Sequence, residues 1–574
     1  MNVENLITDH IETWTTAKVQ KASGGRGRGK KSNGQNQYGI KKLRELILEL
    51  AIRGKLVPQN PNDEPASVLL EKIADEKARL IKEGKIKKQK PLPDMGKDNG
   101  PVGLSDGWTY AQFGNVVFNR DAERVPLSVD TRKGIQGEYD YYGASGVIDS
   151  INDYLFEKPL LLIGEDGANL INRSTPIAFI ARGKYWVNNH AHVLDGLSEG
   201  LLLYVSLHIN AISLVPYVTG TAQPKMNQAK MNSIILAIPP LAEQHRIVAK
   251  VDELMALCDL LEQEQTDNSE THQLLVKTLL DTLTNAQNHV DFISTWKLIE
   301  QNFDLLFTTP ENIDELKQTI LQLAVMGKLV PQDLNDEPAS VLLKKIAKEK
   351  ARLVKEGKIK KQKPLPEISE DEKPFELPNN WGWIRLGDYS YVFSGNSFKS
   401  GDFRESGGIR VIKITNAGVG TFIESNDFLP DDFLLKYGSF IVKKNDLILA
   451  LTRPYISSGL KVSKCPESYD ESLLNQRVAA IRMIIEGDYV FKYLQTEIVL
   501  NIYKKRFGGN GLQPNLKVSD VTNLLIPIPP KTEQNQIVAK VKELMAFCDS
   551  LKEQLSDART TQVQLADAIV GQAV

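Results

Sequence analysis

The chain contains itself twice, and that constrains its fold more than any other feature. The block GKLVPQNPNDEPASVLLEKIADEKARLIKEGKIKKQKPLP, from Gly54, returns as GKLVPQDLNDEPASVLLKKIAKEKARLVKEGKIKKQKPLP from Gly327, an offset of 273. The same offset carries Trp108 to Trp381 and Gly114 to Gly387. A second block, IPPLAEQHRIVAKVDELMALCDLLEQ, returns as IPPKTEQNQIVAKVKELMAFCDSLKEQ, but Pro239 now maps to Pro529, an offset of 290. The extra residues must lie between the blocks, in two stretches that do not resemble each other. A repeat of this length means one structural unit built twice.

Near-identical segments imply a shared structural task, whereas the divergent stretches, each domain-sized, must do something different in each copy. At 574 residues the chain also exceeds what one core usually serves. The expected divisions are an N-terminal segment with a flexible basic linker (1–37), half of a helical region (38–100), a first divergent domain (101–239), a central helical region (240–370), a second divergent domain (371–529) and the other half of the first helical region (530–574). The order is circular. The chain opens midway through the helical block and closes with its other half, while the centre holds both together. A pseudo-twofold molecule with adjacent ends is the economical expectation.

The repeated part reads as helical. Ile247, Val251, Leu254, Cys258 and Leu261 follow a 4-3-4-3 spacing, and Ile537, Val541, Leu544, Cys548, Leu551 and Leu555 repeat and extend it. That is a heptad seam suited to helix-on-helix packing. Leu43, Ile47 and Leu50 match Leu316, Ile320 and Leu323 on a partner helix that should stop near Gly54 or Gly327. A helix of about 40 residues spans roughly 60 Å, enough to hold two domains apart. The next helices should start after Glu-Pro and run into the basic, proline-ended linker KIKKQKPLP. In the divergent stretches, PLLLIGEDG, TPIAFIARGKYWV, SGGIRVIKIT and NDLILALTR read as buried strands between glycine turns. The fold class expected is α/β (α+β): two globular mixed domains separated by long antiparallel coiled-coil-like helices, with internal pseudo-twofold symmetry and circular order.

Composition excludes several functions. Seventy Lys+Arg against 72 Asp+Glu rules out a uniformly basic coat, though not a local basic surface. No apolar run reaches the ~18 residues of a membrane span, and the opening MNVENLITDHIETW lacks a signal-peptide pattern. Three scattered cysteines, Cys258, Cys465 and Cys548, offer neither a disulfide framework nor a metal knuckle, so a reducing cytoplasm is expected. Motif near-misses fail on context. Gly24–Lys30 approaches a P-loop, but Lys31 stands where Ser or Thr would hold Mg²⁺, and the stretch reads as a linker. Phe507–Gly511 spells an FxGxG without the Pro-Pro-aromatic partner motif of a methyltransferase, and reads as a turn. His190 and His192 have no third metal ligand at convincing spacing and read as a buried or base-reading pair. No catalytic residue, metal site or cofactor is expected in this chain.

Each divergent domain closes on Gln-Pro, then Ile-Pro-Pro, then Glu-Gln: Gln223-Pro224, Ile238-Pro239-Pro240, Glu243-Gln244, and again Gln513-Pro514, Ile528-Pro529-Pro530, Glu533-Gln534. With the alternation of divergent domains and constant helices, this resembles the specificity subunit of type I restriction–modification systems. The opening LITDHIETWT and YGIKKLRELILELAIRGKLVPQNPNDEPAS are most similar to the longer enterobacterial type IB subgroup. The resemblance implies that each divergent domain reads half of a split double-stranded DNA site, while the helices set the gap and dock two methyltransferase subunits. Those partners would bind S-adenosylmethionine and methylate adenine at N6; restriction subunits would add ATP- and Mg²⁺-dependent cleavage. The alternative is a non-catalytic scaffold whose helices present two protein-binding domains.

Sequence is read at base edges, by Arg at guanine and Asn or Gln at adenine. In the first domain the candidates are Arg120, Arg124, Arg132, Lys133, Arg173, Lys184, Asn188 and Asn189, with Thr221, Gln223 and Lys225 at the closing turn. In the second they are Asn396, Lys399, Arg404, Lys413, Arg453, Arg477, Lys504, Lys505, Arg506, Asn510 and Gln513. Residues 107–238 carry 10 Lys+Arg against 12 Asp+Glu, and 381–528 carry 18 against 15. Only the second domain is net basic, so isolated DNA binding should be weak and salt-sensitive.

Overall fold

The computed structural model describes residues 3–19, 37–89, 91–92, 103–220, 223–507 and 514–573. Two units emerge, one of residues 1–269 with 557–574 and one of 270–556. Each combines a helical layer with a mixed-sheet domain. Two long helices, Leu241–Thr284 (44 residues) and Lys531–Ala573 (43 residues), carry the chain from one unit to the other.

In the first unit, the seam residues Ile247, Val251, Leu254 and Cys258 are buried against Leu43, Ile47 and Leu50 of helix Tyr38–Ile52, with Leu261 half-buried beside them. In the second, Ile537, Val541 and Cys548 are buried against Ile320 and Leu323 of helix Pro310–Val325, with Leu544, Leu551 and Leu555 half-buried. The seam is therefore a bundle core within each unit. The first partner helix ends at Ile52 and Gly54 follows at φ 68°; the second ends at Val325 and Gly327 follows at φ 71°. Both glycines take the left-handed turn that releases the chain from a helix. Helices Ala66–Lys82 and Ala339–Lys355 start directly after Pro65 and Pro338.

The circular order is physical. Ala566 and Ile569, near the end of the second long helix, lie in the first unit's core, and Tyr38 Oη donates to Asp567 Oδ1 at 2.7 Å. At the 290 offset Ala566 corresponds to Val276, which fills the same place in the second unit with Leu280 and Leu283. The N-terminal segment packs into the same core: helices Val3–Asp9 and Ile11–Thr16 bury Leu6, Ile7 and Trp14 there. A Cβ on Gly39 would lie 2.3 Å from the Trp14 carbonyl oxygen, so helix Tyr38–Ile52 approaches this pair by virtue of that glycine. The second unit's Ile299, Leu306 and Phe307 do the same work from helices His289–Gln301 and Phe303–Leu306. The basic stretch 20–36, with Gly24–Lys31, lies outside the described residues.

The two divergent domains share one strand topology. Each begins and ends on a two-stranded antiparallel ribbon, Thr109–Gln112 with Ile235–Ile238 and Gly382–Arg385 with Leu525–Ile528. Each then holds a four-stranded antiparallel sheet. Its order is Phe118–Asn119, Ala191–Asp195, Leu160–Gly164, Ala178–Ala181 in the first domain, and Ser390–Ser394, Val478–Met483, Leu447–Ala450, Val462–Lys464 in the second. A three-stranded sheet completes each domain. Gln136–Gly143 pairs antiparallel with Gly146–Ile151 and parallel with Tyr185–Val187; Ile409–Ile412 pairs likewise with Phe428–Leu429 and Leu473–Leu474. Unmatched sequences thus fold onto the same frame, because a sheet fixes which positions are apolar and inward but not which apolar residue fills them.

Candidate nucleic-acid interface

The matched residues flanking each divergent domain meet at a neck. Trp108 Nε1 donates to Glu243 Oε2 at 3.1 Å, and Trp381 Nε1 to Glu533 Oε2 at 2.8 Å. Gln244 and Gln534 each donate from Nε2 to the carbonyl of the first proline in their Pro-Pro pair, at 2.9 Å. The Trp and the Ile-Pro-Pro-x-x-Glu-Gln motif are therefore two halves of one clasp around the ribbon. Burial pushes both glutamate carboxyls above the ordinary range, against the lowering effect of the tryptophan hydrogen bonds. A second repeated contact docks each helix after the Glu-Pro onto its domain. Lys77 Nζ donates to Gly114 O and Gln89 Oε1, and Lys350 Nζ to Gly387 O and Gln362 Oε1. Burial lowers both ammonium groups, Lys77 to about 8. Beyond this docking, Lys87, Lys88, Lys360, Lys361 and Lys363 of the basic linkers are exposed.

In the first domain most candidate cations are tied into the fold. Arg120 forks onto Glu123 with both bonds at 2.7 Å and also reaches Asp195. Arg124 pairs with Glu165 at 3.0 Å and donates to Ala191 O at 2.7 Å. Arg132 pairs with Asp149 at 2.7 Å and lies over the Tyr141 ring. Arg173, at φ 49°, donates to Ile209 O and Ile212 O and so closes the end of helix Glu199–Ala211. Asn188 is buried and accepts from the His190 N–H. Lys184 lies over Tyr154 and near Glu157. Lys133, Asn189, Gln223 and Lys225 are exposed, Lys225 3.2 Å from Glu165. Thr221 lies outside the described residues.

The second domain is different. Lys413 is held by Asp427 at 2.7 Å and Arg506 by Asp520 at 2.5 Å. Lys399, Arg404, Arg453, Arg477, Lys504 and Lys505 are exposed, and none of their side chains pairs with a carboxylate among the described residues. Asn396 is half-buried, its carbonyl accepting from the Gln476 N–H at 2.8 Å. Asn510 and Gln513, with the rest of the FxGxG glycines, lie outside the described residues.

One corner brings several candidates together in both domains. In the first, Glu165 N–H donates to His190 O at 2.8 Å, Gly167 N–H to Pro224 O at 2.9 Å, and Met226 N–H to Glu165 O at 2.8 Å. In the second, Leu451 N–H donates to Arg477 O at 2.8 Å, Arg453 N–H to Pro514 O at 2.8 Å, and Leu516 N–H to Leu451 O at 2.7 Å. The bridges Asp166–Lys225 and Thr452–Asn515 complete the match. The Gln-Pro turn thus returns across the end of the four-stranded sheet on the same set of backbone hydrogen bonds, while the side chains differ and Arg477 is left-handed where His190 is not.

The first corner is acidic and internally bonded. His190 Nδ1 lies 2.8 Å from Asp166 Oδ2. Buried His192 lies 2.7 Å from Asp121 Oδ2 through Nδ1 and 3.0 Å from Met226 O through Nε2. The two histidines therefore engage different partners. Burial alone would raise the Asp121 and Glu165 carboxyls, but hydrogen bonds from His192 and Arg124 respectively hold them below the ordinary range. The second corner carries Arg453 and Arg477 instead. Sequence reasoning passed over Glu165, Asp166 and Asp121. The 290 offset linking Pro224 to Pro514 was a signal for this corner, but the strand ends it crosses lie some 60 residues away in sequence.

Among the described residues no helix is long and apolar enough to cross a membrane, and no group of three His, Cys, Asp or Glu is placed to hold a metal ion. The three cysteines are buried and unbonded. The family described as "Type I restriction modification DNA specificity domain" matches residues 112–269 and 378–558. The type I restriction enzyme EcoAI specificity subunit of Escherichia coli is 40% identical over the full length of both chains. The EcoEI specificity subunit of the same organism is 37% identical, again over both full lengths. A solved structure, the HsdS subunit from Thermoanaerobacter tengcongensis, covers 83% of this chain and 98% of its own, at 15% identity and a TM-score of 0.38.

Proposed function

The chain belongs to the DNA specificity subunits of type I restriction–modification systems, and on that premise we propose that each of its sheet-bearing domains reads one half of a split DNA target. The long helices set the unread gap and dock two methyltransferase subunits. Those partners take S-adenosylmethionine and methylate adenine at N6; restriction subunits bring ATP, Mg²⁺ and cleavage. This chain's own task is recognition.

The observation that carries this reading is the repeated corner. Two domains share these backbone hydrogen bonds, yet place acidic groups and a histidine on them in one copy and exposed arginines in the other. A frame that holds position while its side chains change is what direct readout of two different half-sites requires. The internal pairing of Arg120, Arg124 and Arg132 also fits a first domain that relies on partner subunits for phosphate neutralisation.

The test is to purify the chain with the methyltransferase of its own system and map methylated adenines across genomic DNA. A split target is expected. Replacing residues 107–238 with the corresponding domain of another family member should change one half of that target and leave the other intact. Methylation without sequence preference, or a change in both halves, would refute the proposal.

A further inference from the structure

Among the described residues, no contact of the fold uses the guanidinium of two of the second domain's arginines. Arg453 and Arg477 stand at neighbouring strand ends, linked by the Leu451 N–H bond to Arg477 O, while the Arg453 N–H donates to Pro514 O. Both side chains are exposed, and neither guanidinium pairs with any described residue. Both backbones are left-handed, at φ 49° and 69°, where a Cβ is disfavoured and glycine is the usual occupant. The first domain does place glycine, Gly167, where the second has Arg453. Arg173 is also left-handed, but its guanidinium caps two helix carbonyls. Among the described residues no comparable bond accounts for Arg453 or Arg477. Strained backbone that presents an unpartnered polar group points to a binding role.

We propose that Arg453 and Arg477 are a guanine-reading pair, which makes the half-site taken by the second domain rich in G·C at adjacent positions. This rests on the DNA-reading function proposed above. A guanidinium forks onto the O6 and N7 acceptors of guanine in the major groove, and an aimed fork gains from a fixed backbone in a way that a point-charge phosphate contact does not. The domain has other cations for phosphate, including exposed Lys399, Lys504 and Lys505. On the neighbouring strand end the Gln476 N–H donates to the backbone carbonyl of Asn396. The equivalent corner of the first domain presents the Asp166–His190 pair and no arginine at either position, so this mode of guanine reading belongs to one half-site only.

The test uses the full chain assembled with its methyltransferase, with the methylated target mapped on genomic DNA for the wild type, Arg453→Gly and Arg477→Asn. Both replacements are at home in left-handed backbone, so each should unfold at or above the wild-type temperature. Arg453→Gly is expected to lower discrimination by about 5- to 150-fold at one G·C pair of one half-site. Arg477→Asn is expected to shift one position of that same half-site from guanine towards adenine, the base an asparagine reads. The other half-site should not change in either. Loss of methylation by the same factor at every site, with a shallower salt dependence and an unaltered target, would reassign the pair to phosphate and overturn the inference. An unaltered target and rate would overturn it equally. A wild-type complex that methylates without sequence preference would instead overturn the underlying reading, and this inference with it.

Discussion

Glu243 and Glu533 are buried carboxyls with one oxygen bonded to a tryptophan and the other without a partner. Burial raises both above the ordinary value, so the folded chain holds their protons more tightly than the unfolded chain does. Their contribution to stability is complete below the unfolded value, roughly 4.3, and is lost as pH rises through the higher folded one. Glu243→Gln keeps an acceptor for Trp108 and cannot ionise. Its stability relative to wild type, read by urea unfolding, should therefore improve as the pH rises above about 4 and level off once the pH passes the higher folded value, and the double variant with Glu533→Gln should show a larger improvement. A difference independent of pH would mean that folding leaves the two carboxyls at their ordinary value. The motif containing these residues was plain in sequence, but its partner was not. Trp108 precedes Glu243 by the whole length of the first domain, and only the pairing of Thr109–Gln112 with Ile235–Ile238 brings the two together.

The helical elements were the most legible in sequence, since the heptad seam and the terminal glycines state their period and their ends in consecutive residues. The N-terminal helices were missed because Val3–Asp9 and Ile11–Thr16 are each too short to show a period, and their repeat, at 298–307, is related by similarity of pattern more than of residues. Trp14, fully buried with its indole N–H donating to Leu6 O, makes their place in the core testable. Trp14→Ala should cost about 3–5 kcal/mol, the usual penalty for emptying a core aromatic site, read as a fall in the unfolding midpoint. Leu260→Ala, on the exposed side of the first long helix, should change it by no more than about 0.5 kcal/mol. A small effect at Trp14 would mean that the segment does not contribute to the core.

At the scale of the whole chain, two units are joined through continuous helices, and the last residues complete the first unit's core as the middle of the chain completes the second's. If those helices set the gap between half-sites, their length is a ruler. Inserting seven helix-forming residues into both long helices, at the equivalent positions after Ser269 and Arg559, adds two near-integral turns and about 10.5 Å. That is close to three base pairs at about 3.4 Å each. The mapped target should keep both halves and gain roughly three unread base pairs. An unchanged gap would separate spacing from helix length.

Sequence alone determined the repeat, its circular order, the helical seam and the family resemblance, because each is written in local spacing or in a direct match between two stretches of chain. Which candidate cations are tied to carboxylates was decided only by tertiary structure. Arg120, Arg124 and Arg453 look alike in sequence, yet the first two are neutralised by Glu123 and Glu165 while the third, at a strand end, has no carboxylate partner among the described residues. An arginine's availability depends on the carboxylate beside it in space, and strand pairing between distant residues sets that neighbour. The common topology of the two divergent domains was hidden for the same reason: a sheet's order is a property of its pairing, and its residues can change while the pairing stays.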